Sequence, residues 1–506
     1  VVIVLTTLNA KYIHASFGLR YLLANMGELR SRTGMVEFDI NQRPLDIVEV
    51  LLARNPKIVG FGVYIWNVAE TTEVIAALKR LRPDVVVIVG GPEVSYEVDQ
   101  QRITELADYV VTGEADLRFA SLCQRLLAGD RVQEKVVAAD LPDVGQLVLP
   151  YELYGANDVA HRVIYIEASR GCPFSCEFCL SSLNIPVRQF PLAALLIELQ
   201  KLLDRGVKQF KFVDRTFNLN LSTSKTLLQF FLERYQPGLF FHFEMIPDRL
   251  PEGLRDIIRK FPPGSLQFEI GIQSFNEEVC RLISRRQDFQ KLEDNFRFLR
   301  QETGVYLHAD LIVGLPGESV ESFASGFDRL VALNPHEIQV GMLKRLRGTP
   351  IVRHDREWQM VYSPTAPYEI LANRLIDFAT MQRLRRFARY WDLVGNSGNF
   401  ITSTPLIWGD ASPFEGFMRW SDWLFAKVGR TDSIALARLG ELLFEYLTAE
   451  RGGDKQTCAD ALWSDYQRGG RKDKPEYLRA YVSDAIDAGQ SKVPMKRQAR
   501  HFTRAA

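Results

Sequence analysis

The sequence predicts an α/β protein in three parts: a doubly wound, Rossmann-like domain over residues 1–140, a linker over 141–159 leading into a partial TIM-like (β/α)6 barrel over 160–350, and a mostly α-helical C-terminal domain over 351–506. Three observations predict it. β-rich runs alternate with helical patterns through the first third, six further strand–helix units follow residue 160, and the alternation stops at residue 351. A length of 506 residues suits about three domains.

Apolar residues make up 46% and charged residues 25%, the ordinary balance of a globular chain, so most of it is not disordered. Lys plus Arg and Asp plus Glu are each 62, and the resulting net charge of 0 argues against a general polyanion binder. There is no apolar run long enough for a spanning helix, and no membrane partner is expected. Val1–Leu5 reads as a buried strand rather than a signal peptide, and six cysteines are too few for a disulfide scaffold. The expected compartment is the cytoplasm.

In the first part the strands are Val1–Leu5, Val36–Ile40, Ile58–Val63, Val85–Val89 and Tyr109–Val111. Helices are expected over Gly18–Met26, Leu45–Ala53, Ala69–Leu81 and Leu117–Leu127. Strands that are apolar throughout imply a parallel sheet covered on both faces, which binds ligands beyond its carboxyl ends. The loops at those ends carry Tyr12, His14 and Gly18, then Tyr64, Ile65 and Trp66, then Gly90 and Gly91, and last Gly113 and Glu114. Paired glycines let a planar or anionic ligand approach the backbone, although they are also an ordinary turn. No GxGxxG follows the first strand and no GxxxxGK[ST] occurs, so dinucleotide and nucleoside-triphosphate readings lose their usual support.

Through Gly18, the loop Gly62–Trp66, Gly90–Gly91 and Gly113–Glu114, residues 1–140 resemble the cobalamin-binding domain of corrinoid enzymes. The DxHxxG loop of that family, whose His binds cobalt from below, is absent: Tyr12 stands two positions before His14, and Gly18 comes one residue too late. The resemblance implies bound cobalamin without a His on its lower face, with Tyr64, Ile65 or Trp66 covering that side.

Tyr165–Ser169 reads as a strand and runs into Arg170-Gly171-Cys172-Pro173-Phe174-Ser175-Cys176-Glu177-Phe178-Cys179. Three thiolates at spacings of four and three can wrap a cubane cluster and leave its fourth iron open. A structural zinc site wants a fourth Cys or His nearby, and the next 60 residues offer little. The following strands are Phe210–Asp214, Phe240–Met245, Leu266–Ile272, Tyr306–Val313 and Glu337–Leu343. Helices over Leu192–Asp204, Ser222–Tyr235, Leu254–Phe261, Leu292–Glu302 and Glu321–Leu333 separate them. Chemistry in such a barrel belongs at the carboxyl ends of the strands.

Cys-x3-Cys-x2-Cys with Phe178 directly after a strand is similar to the signature of the radical SAM superfamily, over residues 160–350. The resemblance implies a [4Fe–4S] cluster on Cys172, Cys176 and Cys179, with its open iron chelating S-adenosyl-L-methionine (SAM). It places Phe178 against the adenine, Asp214 at the SAM amino group, and Glu269 at the ribose. Arg285, with Arg286 as an equal rival, pairs with the carboxylate, Gly314 lies beneath the adenine, and Glu244 stands near the end of its strand. The bland reading of the carboxylates is helix capping or surface pairing.

Beyond residue 351 helices are expected over Ile370–Tyr390, Phe414–Lys427, Ser433–Arg451 and Glu476–Ala488. This part resembles the C-terminal domain of unknown function that accompanies one group of cobalamin–radical SAM proteins. Lys492, Lys496, Arg497, Arg500 and Arg504 could touch RNA phosphates, but such a run is more often a solvated tail. Cys123, Cys280 and Cys458 are packing residues.

A corrinoid domain before a radical SAM barrel is similar to the cobalamin-dependent radical SAM enzymes. Their commonest reaction methylates an unactivated carbon or a phosphinate phosphorus through a 5′-deoxyadenosyl radical and methylcobalamin. The alternative is a rearrangement, ring contraction or cyclisation without methyl transfer. A tRNA methylthiotransferase-like enzyme would carry three further N-terminal cysteines, and the first 170 residues hold only Cys123. A corrinoid or redox sensor without SAM cleavage is the non-enzymatic reading. The partners implied are a low-potential donor such as flavodoxin or ferredoxin and a substrate that is a small molecule, a peptide or a nucleoside.

Overall fold

All seven residues of β1 (Ile3–Asn9) are buried, because helices cover this strand from both sides. The structure, a computed structural model, describes residues 1–183, 186–471, 473–482 and 497–502. β1 pairs in parallel with β2 (Thr33–Asp39) and with β3 (Ile58–Gly62). The sheet continues in parallel through β4 (Val86–Gly90), β5 (Tyr109–Thr112) and β6 (Val136–Ala138), in the order β2-β1-β3-β4-β5-β6. The strand order reverses between β1 and β3, the place where doubly wound sheets leave a crevice. Ile3, Leu5, Ile58, Ile88 and Val111 face α1 (Phe17–Ala24) and α5 (Arg118–Ala128). The alternate residues Val4, Val59, Phe61, Val87 and Val89 face α2 (Pro44–Leu52), α3 (Val68–Leu81) and α4 (Arg102–Leu106).

Residues 141–159, expected as a linker, are packed. Tyr151 and Tyr154 are buried. α6 (Ala156–His161) presents Asp158 to the buried Arg20 at 2.8 Å, and Arg20 also meets Glu37 at 3.0 Å.

The second sheet runs in chain order and is parallel throughout: β7 (Ile164–Ile166), β10 (Gln209–Phe212), β11 (Phe240–Met245), β12 (Leu266–Gln273), β13 (Tyr306–Val313) and β14 (Glu337–Met342). Between its first two members, β8 (Ser169–Arg170) and β9 (Arg188–Gln189) pair antiparallel and bracket the cysteine loop. α7 (Leu192–Asp204), α8 (Leu221–Glu233), α9 (Glu252–Ile258), α11 (Phe289–Glu302) and α12 (Val320–Ala332) make the crossovers, with α10 (Glu277–Leu282) after β12. Phe210, Phe212, Phe241, Phe243 and Phe268 turn outward and are fully buried under these helices. The alternate positions turn inward, and register sets Lys211 beside His242, Glu244 beside Glu269, and His308 beside Glu269 and Glu337. A closed barrel fills its interior with branched aliphatic side chains. This partial barrel lines its interior with charge, and it stays open.

After β14 come the short pair β15 (Val361–Tyr362) and β16 (Ile370–Ala372), then α13 (Phe378–Leu393), α14 (Pro413–Val428), α15 (Leu436–Glu445) and α16 (Lys455–Arg468). The helix expected from Ile370 starts only at Phe378. Ile370 instead bonds through its N–H to the Leu343 carbonyl at 2.8 Å, and Asp377 caps α13 by accepting from the Thr380 N–H at 2.7 Å. The expected helix Ser433–Arg451 is shorter at its start, beginning at Leu436, and ends in a wider π turn over Tyr446–Glu450; α16 was not expected. Of the helix expected over 476–488, Glu476–Leu478 is one 3-10 turn; the rest beyond residue 482, with Lys492, Lys496 and Arg504, lies outside the described residues.

Phe387, Trp391 and Phe414 pack with Phe327 of α12, and Phe417 and Trp420 extend that cluster, so one core runs from the barrel into the third domain. Asn396 closes the free edge of β14 by accepting from the Ile338 N–H and donating to its carbonyl, both at 2.8 Å. Among the described residues no helix is long and apolar enough to cross a membrane.

Candidate functional site

Gly60 and Gly62 on β3 and Gly90 on β4 share the sheet face that α1 and α5 cover, and where they stand side chains are missing from the core. A cavity of about 340 Å³ results, bordered by Phe17, Leu19, Tyr64, Gly91, Gly113 and Glu114. The cradle is tight. A Cβ on Gly60 would stand 2.7 Å from the Phe119 ring, and one on Gly91, whose φ is +114°, would stand 2.5 Å from the Val63 carbonyl oxygen. Asn67 holds the loop after β3 by accepting from the Tyr64 N–H at 2.8 Å and donating to the Leu8 carbonyl at 2.9 Å. The cavity leaves the sheet and reaches Glu167, Ser169, Arg170 and Arg215 of the barrel. A glycine-floored, largely apolar slot of this kind fits a large planar cofactor.

A second cavity, about 230 Å³, gathers Cys172, Cys176, Cys179, Phe178, Glu244, Glu269, Arg285 and Arg286 at the carboxyl ends of the barrel strands. Cys172 and Cys176 are buried and Cys179 is half-buried, none in a disulfide. Burial, followed by the neighbouring Cys179 and Cys176, pushes the Cys172 thiol up against a backbone hydrogen bond at Phe174. Among the described residues no three His, Cys, Asp or Glu converge on one ion. A cubane takes one thiolate on each of three irons, so thiols spread around a cavity match it better than they match zinc.

The charges of this cavity are held in place. Burial would raise Glu269, but His242 at 2.9 Å and Lys211 at 3.5 Å hold its carboxyl far below the usual range. Burial pushes Glu244 up, against Arg215 at 3.0 Å. Arg285 donates to the Gly271 carbonyl and reaches the Cys176 sulfur at 3.4 Å.

Among the lining residues that had not been anticipated are Arg215, Gln273 and Asp310. Among the described residues Gln273 Oε1 is buried without a hydrogen-bond partner, Asp310 Oδ1 lies 3.2 Å from His308 Nε2, and Arg215 borders both cavities as their common wall. The inward period of two along β12 and β13, through Glu269 and His308, could have marked Gln273 and Asp310.

Arg170, two residues before Cys172, joins the first domain to the cysteine loop. It meets Asp116 at 2.8 Å, Glu114 at 3.0 Å and Glu167 at 2.9 Å, beneath the Tyr21 ring. Burial alone would raise Glu114, but Arg188 and Arg170 outweigh it and keep that carboxylate ionised. Glu167 is pushed up to about 7 by burial, against the pull of Arg170.

Several anticipated residues lie elsewhere. Asp214 accepts from the Ala168 N–H at 2.9 Å and the Ser169 hydroxyl at 2.6 Å, so it fixes the strand before the cysteines instead of facing their cavity. Burial, opposed by those bonds, pushes it up to about 6. Gly314, at φ +88°, lies under Ile370 and Met381 of the third domain. His14 bonds the Tyr165 hydroxyl at 2.6 Å, and Tyr12 carries Arg162 over its ring, so both are absorbed by contacts to residues 157–165. Ile65 and Trp66 stand outside the first cavity; Trp66 is 46% exposed and stacks on Tyr64 at 4.5 Å, leaving Tyr64 as the ring that borders it.

Three family models match in succession: the B12 binding domain over residues 3–123, the radical SAM superfamily over 166–330, and a protein of unknown function (DUF4080) over 356–502. Among curated relatives, the ribosomal protein uS12 methylthiotransferase RimO of Pelobacter propionicus is 28% identical over 194 residues, 37% of this chain and 43% of the relative. The cobalamin-dependent radical SAM methyltransferase TokK of Streptomyces tokunonensis is 25% identical over 333 residues, 58% of this chain and 48% of the relative. The chain thus spans less than half the length of these two. The radical S-adenosylmethionine methyltransferase TsrM of Kitasatospora setae shares the fold at a TM-score of 0.57 and 18% identity, over 69% of this chain and 74% of that one. With these three domains in this order, the chain carries the domain set of the cobalamin-dependent radical SAM enzymes.

Proposed function

We propose that the chain is a cobalamin-dependent radical SAM methyltransferase acting on an unactivated carbon of a small molecule. The observation that carries this reading is the common wall: Arg215 borders both the glycine-floored cavity and the cysteine cavity, so groups held in the two would lie next to each other. TokK and TsrM, both named as methyltransferases, favour methyl transfer over rearrangement.

In this reading Cys172, Cys176 and Cys179 hold the [4Fe–4S] cluster, while Phe178, Glu244, Glu269 and Arg285 or Arg286 surround SAM. Gly90, Gly91, Gly113 and Tyr64 border cobalamin. When bound, the cluster supplies the electron that cleaves SAM and the corrinoid supplies the methyl group. The chain's part is positioning. Glu269, kept ionised by His242 and Lys211, can accept from hydroxyls at any ordinary pH. Arg285, anchored on Gly271, keeps donors free for a carboxylate. Asp214 acts one step back, fixing Ala168 and Ser169 ahead of the cysteines. The electron comes from a low-potential donor such as flavodoxin or ferredoxin.

The test is anaerobic incubation of the reconstituted protein with SAM, hydroxocobalamin, reductant and candidate substrates, following 5′-deoxyadenosine and S-adenosylhomocysteine, so that every methyl group transferred comes from SAM. Methyl transfer predicts that the two nucleosides accumulate together with product. Deoxyadenosine and product without S-adenosylhomocysteine would replace it with a rearrangement.

A further inference from the structure

A third cavity, about 730 Å³, lies where β13 and β14 meet the third domain. It adjoins the cysteine cavity, because Phe178, Gln273 and Asp310 border both. Its far wall belongs to α13. Leu384, Phe387 and Trp391 bury one stripe of that helix, while Arg385, Arg389 and Asp392, at helical spacing, border the cavity. The other arginines of α13 are committed elsewhere: Arg383 meets Asp422 at 2.6 Å, and Arg386 packs on the Phe425 ring.

Hydrogen-bonding capacity here is unbalanced. The acids are occupied: Asp310 faces His308 at 3.2 Å, Glu337 receives Tyr306, His308 and Arg497, Asp392 receives Arg497 at 2.7 Å and Arg389 at 3.5 Å, and Glu369 receives Arg385 at 3.1 Å. The donors are in surplus. A guanidinium has five N–H groups, and Arg385 and Arg389 each meet one carboxylate. Lys344, on the same rim, has no ion pair among the described residues. Three cations with unused donors, around a chamber that joins the cysteine cavity, suit a ligand that brings negative charge and acceptor oxygens.

We propose that this chamber is the substrate site, and that Lys344, Arg385 and Arg389 hold a carboxylate or phosphate group of a small-molecule substrate. This gives the domain of unknown function its role: it supplies the wall that selects the substrate. The inference rests on the function proposed above and names the substrate class for it.

The test uses the full chain loaded with cluster, cobalamin and SAM, so that those sites cannot take up the probe. Inorganic phosphate and succinate are titrated separately by calorimetry at low ionic strength. At least one is expected to bind once per chain, and the tighter of the two identifies the group. The double variant Arg385→Gln/Arg389→Gln should weaken that binding about tenfold or more. Lys344→Gln, on an exposed loop position, should weaken it independently of any change in α13. Failure of both probes to bind the unmodified chain, or unchanged binding in both variants, overturns the proposal. SAM cleavage in the same preparations separates the two claims: cleavage without anion binding removes this inference alone, whereas no cleavage removes the function on which it rests.

Discussion

Glu177 lies between Cys176 and the aromatic Phe178, and it is 3% exposed. Its carboxylate receives the Ser284 hydroxyl at 2.5 Å, His354 Nε2 at 2.9 Å and Arg353 at 2.5 Å. Its backbone is held as well, the N–H donating to the Ile283 carbonyl at 3.1 Å and the carbonyl accepting from the Ile351 N–H at 3.0 Å. The cysteine loop is thereby pinned between the turn at 283–285 and the segment leading into the third domain. Glu177→Ala leaves the half-buried Ser284 hydroxyl without its partner and the buried His354 Nε2 with only the Leu282 carbonyl at 3.1 Å, while Arg353, 59% exposed in its side chain, returns to water. At about 1–3 kcal/mol for a polar group left unsatisfied, the loss is about 1–3 kcal/mol. Urea unfolding of the cluster-free protein measures it, and iron bound after reconstitution measures the consequence for the loop. Glu177→Gln keeps acceptor and shape and should recover part of both. A loss below about 1 kcal/mol with normal iron content would refute the pinning.

Gly62→Val should separate cofactor binding from folding. A Cβ there stands at an ordinary 3.4 Å from Thr7, so melting of the cofactor-free protein should hold while corrinoid binding falls about tenfold or more by absorbance titration. Arg170→Met removes the arginine shared by Asp116 and Glu167 and one of the two on Glu114, and a loss of about 3–5 kcal/mol is expected in urea unfolding. Glu318, pushed up to about 7 mainly by burial, binds its proton more tightly folded than unfolded. Its contribution is therefore complete below about pH 4.5 and is lost as pH rises through about 7, worth about 3 kcal/mol. Glu318→Gln should remove that part of the decline between pH 5 and pH 8, and an identical pH profile would show that the group does not titrate there.

The periodic parts of the fold were legible because one force produced both pattern and structure. β1 and β4 are buried by neighbours on both faces, α7 buries the stripe Leu195, Leu199 and Leu202, and the observed ends of α7 coincide with the expected ones. Where local chemistry competes with periodicity, the sequence alone misled: the Asp377 cap and the bond from Ile370 to Leu343 turn the start of an expected helix into a strand and a turn. The three cysteines were legible from spacing and share one cavity. Asp214 was misplaced because a carboxylate at a strand end can face the cavity or turn back, and only tertiary packing shows that Ala168 and Ser169 take it. The roles of Arg170 and Arg215 were not legible, since Arg170 meets Glu114 across 56 residues and Arg215 meets Glu244 across 29.

The most direct test of the central claim, that one chain holds a cluster and a corrinoid side by side, is a single stoichiometric assay. Anaerobically reconstituted protein is given hydroxocobalamin, SAM and a low-potential reductant, and iron, bound corrinoid and 5′-deoxyadenosine are quantified in the same sample. The account predicts about four irons and one corrinoid per chain with deoxyadenosine formed. It also predicts that Cys176→Ala loses iron and SAM cleavage while keeping the corrinoid. Iron and deoxyadenosine without bound corrinoid, or SAM cleavage surviving in Cys176→Ala, would contradict it.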